Sequence, residues 1–298
     1  MLQSTLCIPK IMKIMGAFPM FKADYHVHSF KSFDADPGAD IGKIYEASVA
    51  KGLDEVALCE HYDVNWVAAG ENPEIDFPDS LEKMKAAQVQ FGGGGKNTRF
   101  LLGIELGQPH QFPGKAAEVL GKNDFDFVLC ALHNARDEED FYCIDYKNTD
   151  VSTLIAIFEK YTEELCELAG WGEFHSLAHI TYPLRYLFLN EIHIQPAKYA
   201  DLYKKLFRAL VARGIALEVN TSGMRNPMLS PSPPFDLLKL YRESGGELVT
   251  VGSDAHNASD IFAGIPYICE RLRSLGFGYI ATVEDKKLKP KKIEAWSY

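Results

Sequence analysis

The chain reads as an α/β protein built as a distorted seven-stranded (β/α)7 barrel, TIM-barrel-like and in one domain. Three observations predict this. Strand-like apolar runs alternate with helical runs seven times, which implies a parallel sheet. No linker or shift of composition divides the series. His, Asp or Glu residues close six of the seven strand runs, and a closed ring brings such ends to one mouth where an open sheet would spread them.

The elements follow in order. Asp24–His28 is the first strand, and alternation puts His26 and His28 on one face with Val27 on the other. Asp40 to Gly52 is a helix with an aspartate N-cap and a glycine stop. Glu55–His61 is a buried strand. Ser80 to Phe91 is a helix ended by four glycines at 92–95. That run is a flexible turn, since no Lys-Ser/Thr pair and no new helix follow it as a phosphate cradle requires. Arg99–Glu105 is the third strand, Lys115–Gly121 a short helix and Phe125–His133 the fourth strand. Val151–Gly170 is the longest helix, and Ser176–Ile180 a short strand followed by a helix over Pro196–Gly214. Ile215–Asn220, the helix Pro234–Ser244, the strand Glu247–Asp254 and the helix Ser259–Leu275 complete the series. Gly278–Val283 adds a short extended segment before a lysine-rich end.

Composition narrows the function. Hydrophobic residues make up 47% and charged residues 24% of 298 positions, which suits a globular protein with a substantial core. The net charge is −10 and Lys/Arg-rich runs are confined to the C-terminal tail, which argues against long nucleic acid as partner. A local cationic pocket remains compatible with that charge. The six cysteines contain no Cys-x-x-Cys pair, and Cys59 and Cys130 fall inside apolar strand runs. They read as reduced thiols of a cytoplasmic protein. Residues 1–19 form an N-terminal extension to a domain spanning 20–298. The apolar patches of that extension, broken by Lys10 and Lys13, are too short for a membrane span, and translation can begin at Met20.

The strand ends carry the chemistry. In order they present His26 and His28, then His61, Glu105, His133, His179, and finally Asp254 with His256; Asp34 and Asp36 lie in the loop after the first strand. Convergent ionisable residues mark a site. The set is too large for one tetrahedral ion. Mixed imidazole and carboxylate ligands suit Zn, Mn or Fe, and a carboxylate can bridge two ions. Such clusters activate water and hold a phosphoryl group in line for attack. No thiolate belongs to the set, which argues against a structural zinc site.

His26-Val-His28-Ser29, Cys59-Glu-His61, Gly103-Ile-Glu105, His133, Ala178-His179 and Gly252-Ser-Asp-Ala-His256 resemble the metal motifs of the polymerase and histidinol phosphatase family. The resemblance runs from about residue 22 to the last helix. Within the family, Leu217-Glu-Val-Asn-Thr-Ser-Gly-Met-Arg225 followed by Pro231-Ser-Pro is similar to the histidinol-phosphatase branch. The family fold is a distorted seven-stranded β/α barrel, in line with the strand count.

The resemblance implies two to three divalent transition-metal ions. One takes His26, His28, Glu105 and Asp254; a second shares Glu105 and takes His133 and His179; a third takes His61, His256 and Asp34. Many relatives carry a histidine where Asp34 stands, and aspartate, a harder ligand, favours Mn or Fe there. Glu105, Asp254 and His256 are the candidates for direct catalytic roles. Arg185 and Arg225 are the candidates for binding phosphate, since an arginine fork matches phosphate oxygens. His110, just past Glu105, is a candidate for the substrate pocket. Glu60 or Asp63 near the mouth would favour a cationic substrate such as histidinol phosphate.

The implied reaction is hydrolysis of a small phosphate monoester, L-histidinol phosphate and water to L-histidinol and phosphate, a step of histidine biosynthesis. Alternatives are a phosphoesterase acting on another small phosphate ester or a nucleotide, an amidohydrolase-type hydrolase and a non-catalytic metal-binding module. No lysine ends a middle strand, as the amidohydrolase alternative commonly requires, and ligands at every position weigh against a non-catalytic role.

Overall fold

Seven short strands, nearly all buried from end to end, pair in parallel in chain order: β1 (Ala23–Val27), β2 (Glu55–Asp63), β3 (Arg99–Gly107), β4 (Phe127–Ala131), β5 (Ser176–Leu177), β6 (Ala216–Asn220) and β7 (Val249–Gly252). The structure is a computed structural model that describes residues 21–65, 76–91 and 98–294. The extension at 1–19, Met20 and the glycine run at 92–95 lie outside the described residues. The ring closes just past the last strand. Val27 bridges Ala255 in parallel, the Asp254 N–H donates to the His26 carbonyl at 2.7 Å, and the His28 N–H donates to the Ala255 carbonyl at 2.9 Å.

The helices cover the outside: α1 (Ile41–Ala50), α2 (Phe77–Phe91), α3 (Pro113–Lys122), α4 (Val151–Trp171), α5 (Tyr182–Leu189), α6 (Ala200–Arg213), α7 (Phe235–Glu243) and α8 (Ile265–Ser274). Local chemistry sets their ends. The Asp40 side chain accepts from the Gly42 N–H at the start of α1. Gly172, at φ 73°, stops α4 in the left-handed conformation that glycine adopts freely. The outer faces of the strands and the apolar stripes of the helices form one core, including Val56, Leu58, Ile104, Leu106, Val219 and Val251. A second cluster fills the barrel, with Tyr25, Ala57, Cys59, Leu101, Phe127 and Leu129.

Four expectations need correction. The helix after β5 is α5, an eight-residue aromatic-rich segment with proline in its first turn, not the one beginning near Pro196. Pro196–Tyr199 is a 3-10 turn leading into α6. The last helix starts at Ile265 rather than Ser259, because Gly264 at φ 76° and Pro266 set a fresh N-terminus. Tyr279–Glu284 (β8) pairs antiparallel with Lys287–Lys292 (β9), so most of the lysine-rich end is a strand of a hairpin. The hairpin caps the end of the barrel opposite the strand-end ligands. Val283 packs among Ala23, Tyr25 and Phe127, and its N–H donates to the Tyr25 hydroxyl.

Among the described residues, no helix is long and apolar enough to cross a membrane.

Candidate metal centre

Glu105 is the hub of the strand-end residues. Its carboxylate is fully buried, and five imidazoles approach it. His179 Nε2 lies at 2.7 Å, His61 Nδ1 at 2.9 Å, His26 Nε2 at 3.1 Å, His133 Nε2 at 3.3 Å and His28 Nε2 at 3.5 Å. Asp254 Oδ1 stands 3.4 Å from His28 Nε2, 3.5 Å from His256 Nδ1 and 3.6 Å from His26 Nε2. Asp34 completes the far side, 3.0 Å from His256 Nε2 and 3.6 Å from His61 Nε2. The fold therefore brings together all nine residues that the sequence points to. Two of them, His179 at φ 29° and Asp254 at φ 54°, have positive φ. Such backbone strain persists where the surroundings over-determine it.

The donor set fits divalent transition ions. Four triads place one ligand atom per residue within 4.8 Å of one another: His28–His61–His256, His26–Glu105–His179, His26–His28–Asp254 and His61–Glu105–His133. His28 Nε2, both nitrogens of His61 and His256 Nε2 are buried and form no hydrogen bond, although carboxylate oxygens stand 2.9–3.6 Å away. Buried polar atoms are ordinarily satisfied, so orphans gathered at one point call for a ligand. Thiols contribute nothing, since burial pushes Cys59 and Cys130 well above the usual thiol range.

Protonation follows the charges. Burial opposes a charge on His26, but Glu105, Glu218 and Asp254 outweigh it and raise its pKa well above the ordinary value. Burial is outweighed in the same way at His61, by Glu105 and Asp34, and at His133, by Asp63 and Glu105. His28 goes the other way, where burial and then His256 and His61 lower it to about 3. It is a neutral imidazole, the form that binds metal.

Behind the ligands stands a layer that the sequence did not reveal as such. Glu218 Oε1 lies 2.7 Å from His26 Nδ1, while its Oε2 accepts from the His179 N–H at 3.1 Å and the Asn220 amide at 3.2 Å. Asp63 Oδ1 lies 2.7 Å from His133 Nδ1. Carboxylates so placed fix ring orientation and raise basicity at the far nitrogen. Both reach across a glycine on the strand between. Asp63 on β2 pairs in register with Gly107 on β3, and a Cβ there would overlap the Asp63 carboxylate. Gly252 on β7 lies between Glu218 on β6 and His26 on β1, and a Cβ there would meet Glu218 Oε1 at 2.6 Å.

Above the cluster opens a cavity of about 420 Å³. Arg185, from α5, and Arg225, from the 3-10 turn Ser222–Arg225, both line it. Arg185 lies over the Tyr186 ring and makes no ion pair among the described residues. Arg225 is engaged: its Nη2 donates to the Ser253 carbonyl at 2.8 Å and the Asp254 carbonyl at 3.2 Å, and its Nε faces Asp260 at 3.4 Å. Asp140 is 4% exposed, lines the cavity and accepts from the Tyr182 hydroxyl at 2.9 Å. The Tyr182 ring stacks on His179 at 5.4 Å.

Two expectations do not hold, and a third holds in position. His110 does not line this cavity; its Nε2 meets Glu164 of α4 at 2.8 Å, after the chain turns at Gln108, φ 50°. Glu60 is not at the mouth but 1% exposed, bonded to Ser29 and Ser32. Asp63 does line the cavity, but as the partner of His133.

The family model described as the PHP domain matches residues 24–222, two thirds of the sequence. The chain belongs to the PHP domain family. The match spans the candidate ligand positions from His26 to His179. Asp254 and His256 lie beyond it but join the same PHP-domain cluster in space. This PHP-family chain is 26% identical over 278 residues to the histidinol-phosphatase of Lactococcus lactis subsp. lactis, covering 92% of this chain and 98% of the relative. It is also similar to the crystal structure of histidinol phosphate phosphatase from that organism complexed with zinc, L-histidinol and phosphate. The TM-score is 0.75 at 23% identity, over 90% of this chain and 98% of that one, a likeness of fold.

Proposed function

We propose that this PHP-family chain is a metal-dependent phosphatase that converts L-histidinol phosphate and water to L-histidinol and phosphate. The observation that carries the reading is the convergence of nine ligand-type residues on one buried carboxylate, beneath a cavity lined by two arginines. The Lactococcus lactis relative, matched over nearly its whole length, supplies the substrate.

In this reading, His26, His28, Glu105 and Asp254 hold one ion. Glu105, His133 and His179 hold a second, and Asp34, His61 and His256 a third. Zn, Mn or Fe bound there supplies an acidified water as nucleophile and Lewis-acid relief of charge on the phosphoryl oxygens. The protein's own groups do the rest. Arg185, which makes no ion pair among the described residues, binds the phosphoryl group as a fork. Arg225 adds positive charge while holding the Asp254 carbonyl. Asp140 and the tyrosine-lined wall accept the cationic amine and imidazole of the alcohol portion. A pocket so lined explains how a chain of net charge −10 attracts a substrate that carries both signs.

The test uses metal-stripped protein with Zn, Mn or Fe added back singly. Phosphate release is measured from histidinol phosphate, a mononucleotide and a generic aryl phosphate. Metal-dependent turnover with histidinol phosphate preferred is the expected result. Metal-dependent turnover that favours the nucleotide moves the substrate assignment to nucleotides. Full activity without metal, or no phosphatase activity with any metal, overturns the reading.

A further inference from the structure

Glu60 lies on the face of β2 opposite His61 and Asp63, outside the ligand cluster, and nothing in the proposed reaction uses it. Its hydrogen bonds are saturated. The Ser29 N–H donates to Oε1 at 3.2 Å and Oε2 at 3.3 Å, the Ser29 hydroxyl donates to Oε1 at 2.5 Å, and the Ser32 hydroxyl donates to Oε2 at 2.7 Å. Ser32 Oγ is also 3.0 Å from His28 Nδ1 and accepts from the His61 N–H at 3.4 Å. Glu60, Ser29, Ser32 and His28 are all buried, with Ser32 the most open of the four at 2%.

Proton counting gives these contacts direction. A serine has one O–H to donate and two lone pairs. If Glu60 is ionised, the Ser32 proton goes to Glu60. The remaining Ser32 contacts must then be accepted, one from the His61 N–H and one from His28 Nδ1–H. A neutral imidazole carries one N–H, so His28 Nε2 is bare. That nitrogen is buried without a hydrogen-bond partner, 3.4 Å from Asp254 Oδ1 and 3.5 Å from Glu105 Oε2. A lone pair facing two carboxylates needs a cation between them.

We infer that the buried Glu60 carboxylate, acting through Ser32, is a positioning group that holds the His28 proton on Nδ1 and so makes Nε2 a metal ligand. The inference rests on the metal-centre reading above. It differs from the carboxylate contacts at His26 and His133, because here a neutral hydroxyl relays the selection. The alternative count has Glu60 protonated, donating to Ser32, and Ser32 donating to Nδ1. His28 Nε2 would then carry the proton and could not bind an ion.

Glu60→Gln separates the two counts. With an ionised Glu60, the amide takes over the contacts of the carboxylate with its oxygen toward Ser29 and its NH2 toward Ser32. Ser32 must then accept from the amide and give its proton to His28 Nδ1, which moves the imidazole proton to Nε2. With a protonated Glu60, glutamine is an isostere and changes nothing. The measurement is Zn2+ affinity and stoichiometry of metal-stripped protein by competition with a chelating dye, with thermal unfolding of the apo form alongside. Glu60→Gln should weaken one Zn2+ position about 10- to 100-fold, the range for outer partners of metal ligands. Ser32→Ala, which leaves the tautomer unselected rather than reversed, should lose less, and Ser32→Thr, which keeps the hydroxyl, should restore binding. Nitrogen-15 NMR of the wild-type apo protein should show the His28 proton on Nδ1, a readout that stands if Glu60→Gln fails to fold. Wild-type Zn2+ affinity in Glu60→Gln and Ser32→Ala, or a His28 proton on Nε2, overturns the inference. Absence of Zn2+ binding by the wild type overturns the metal-centre reading instead.

Discussion

Gly107→Ala tests whether the layer behind the ligands matters. The added methyl would overlap the Asp63 carboxylate, the group 2.7 Å from His133 Nδ1. The strand cannot step aside. Gly107 pairs with Asp63 on one side and Ala131 on the other, and its carbonyl accepts from the Val64 N–H at 3.1 Å. Asp63 must therefore swing away and release His133. Overpacking of this kind costs about 1–3 kcal/mol, which in a chain of this size lowers Tm by roughly 2–5 °C. Loss of an outer carboxylate costs about 10- to 100-fold in metal affinity. The assay is competitive Zn2+ titration of Gly107→Ala, Asp63→Asn and the double variant, with apo thermal melts to separate stability from binding. Both single variants should weaken the same Zn2+ position. The double variant should lose little more than either, because both act on one contact. Wild-type affinity in Gly107→Ala, or losses that simply multiply in the double variant, would refute the reasoning.

Three further outcomes follow from the site. Glu105→Gln should cut kcat/KM by about 10²- to 10⁴-fold, on the basis of two charge-assisted contacts worth about 1.5–3 kcal/mol each, and by more than Asp34→Ala; the reverse order at saturating metal would show that Glu105 is not shared between ions. Arg185→Ala should lower kcat/KM about 10- to 150-fold, weaken inhibition by inorganic phosphate and leave metal content unchanged. Arg225→Ala should also lose metal on elemental analysis, because its guanidinium holds the Ser253 and Asp254 carbonyls.

The fold was legible because its main signals are local. Strand runs such as Glu55–His61 are bounded by helix stops, and seven of them in sequence order leave few topologies. What escaped was short or atypical. Helix α5 spans only eight residues, too few to set up a long apolar period. The strand β9 carries four lysines and a proline, and its place is set by pairing with β8 rather than by its own composition. Strand β1 hides an irregularity: its register against β2 shifts between Asp24 and Val27, so Tyr25 fills the barrel while His26 and His28 both reach Glu105.

The inner residues of the site were legible for a physical reason that also hid the outer ones. A strand end puts a ligand where the mouth needs it, so His61, Glu105 and Asp254 can be read from position alone. An outer carboxylate has no such address, since a buried Glu218 and a surface glutamate look alike in sequence. Alternation supplies the missing constraint. His61 and Asp63 share a face of β2, so the carboxylate two residues past a ligand points inward with it, whereas Glu60 points outward. Glu105 and Gly107 likewise share a face of β3, and Gly252 lies two residues before Asp254. The same period that turns a ligand inward turns the glycine inward too. There the missing side chain lets a carboxylate on one flanking strand reach a histidine on the other, from Asp63 to His133 and from Glu218 to His26. A candidate ligand and a glycine two residues apart on one strand, beside an acidic residue on the preceding strand, is therefore the sequence pattern of a carboxylate-backed histidine in this barrel, and it follows from the pleat rather than from any single motif.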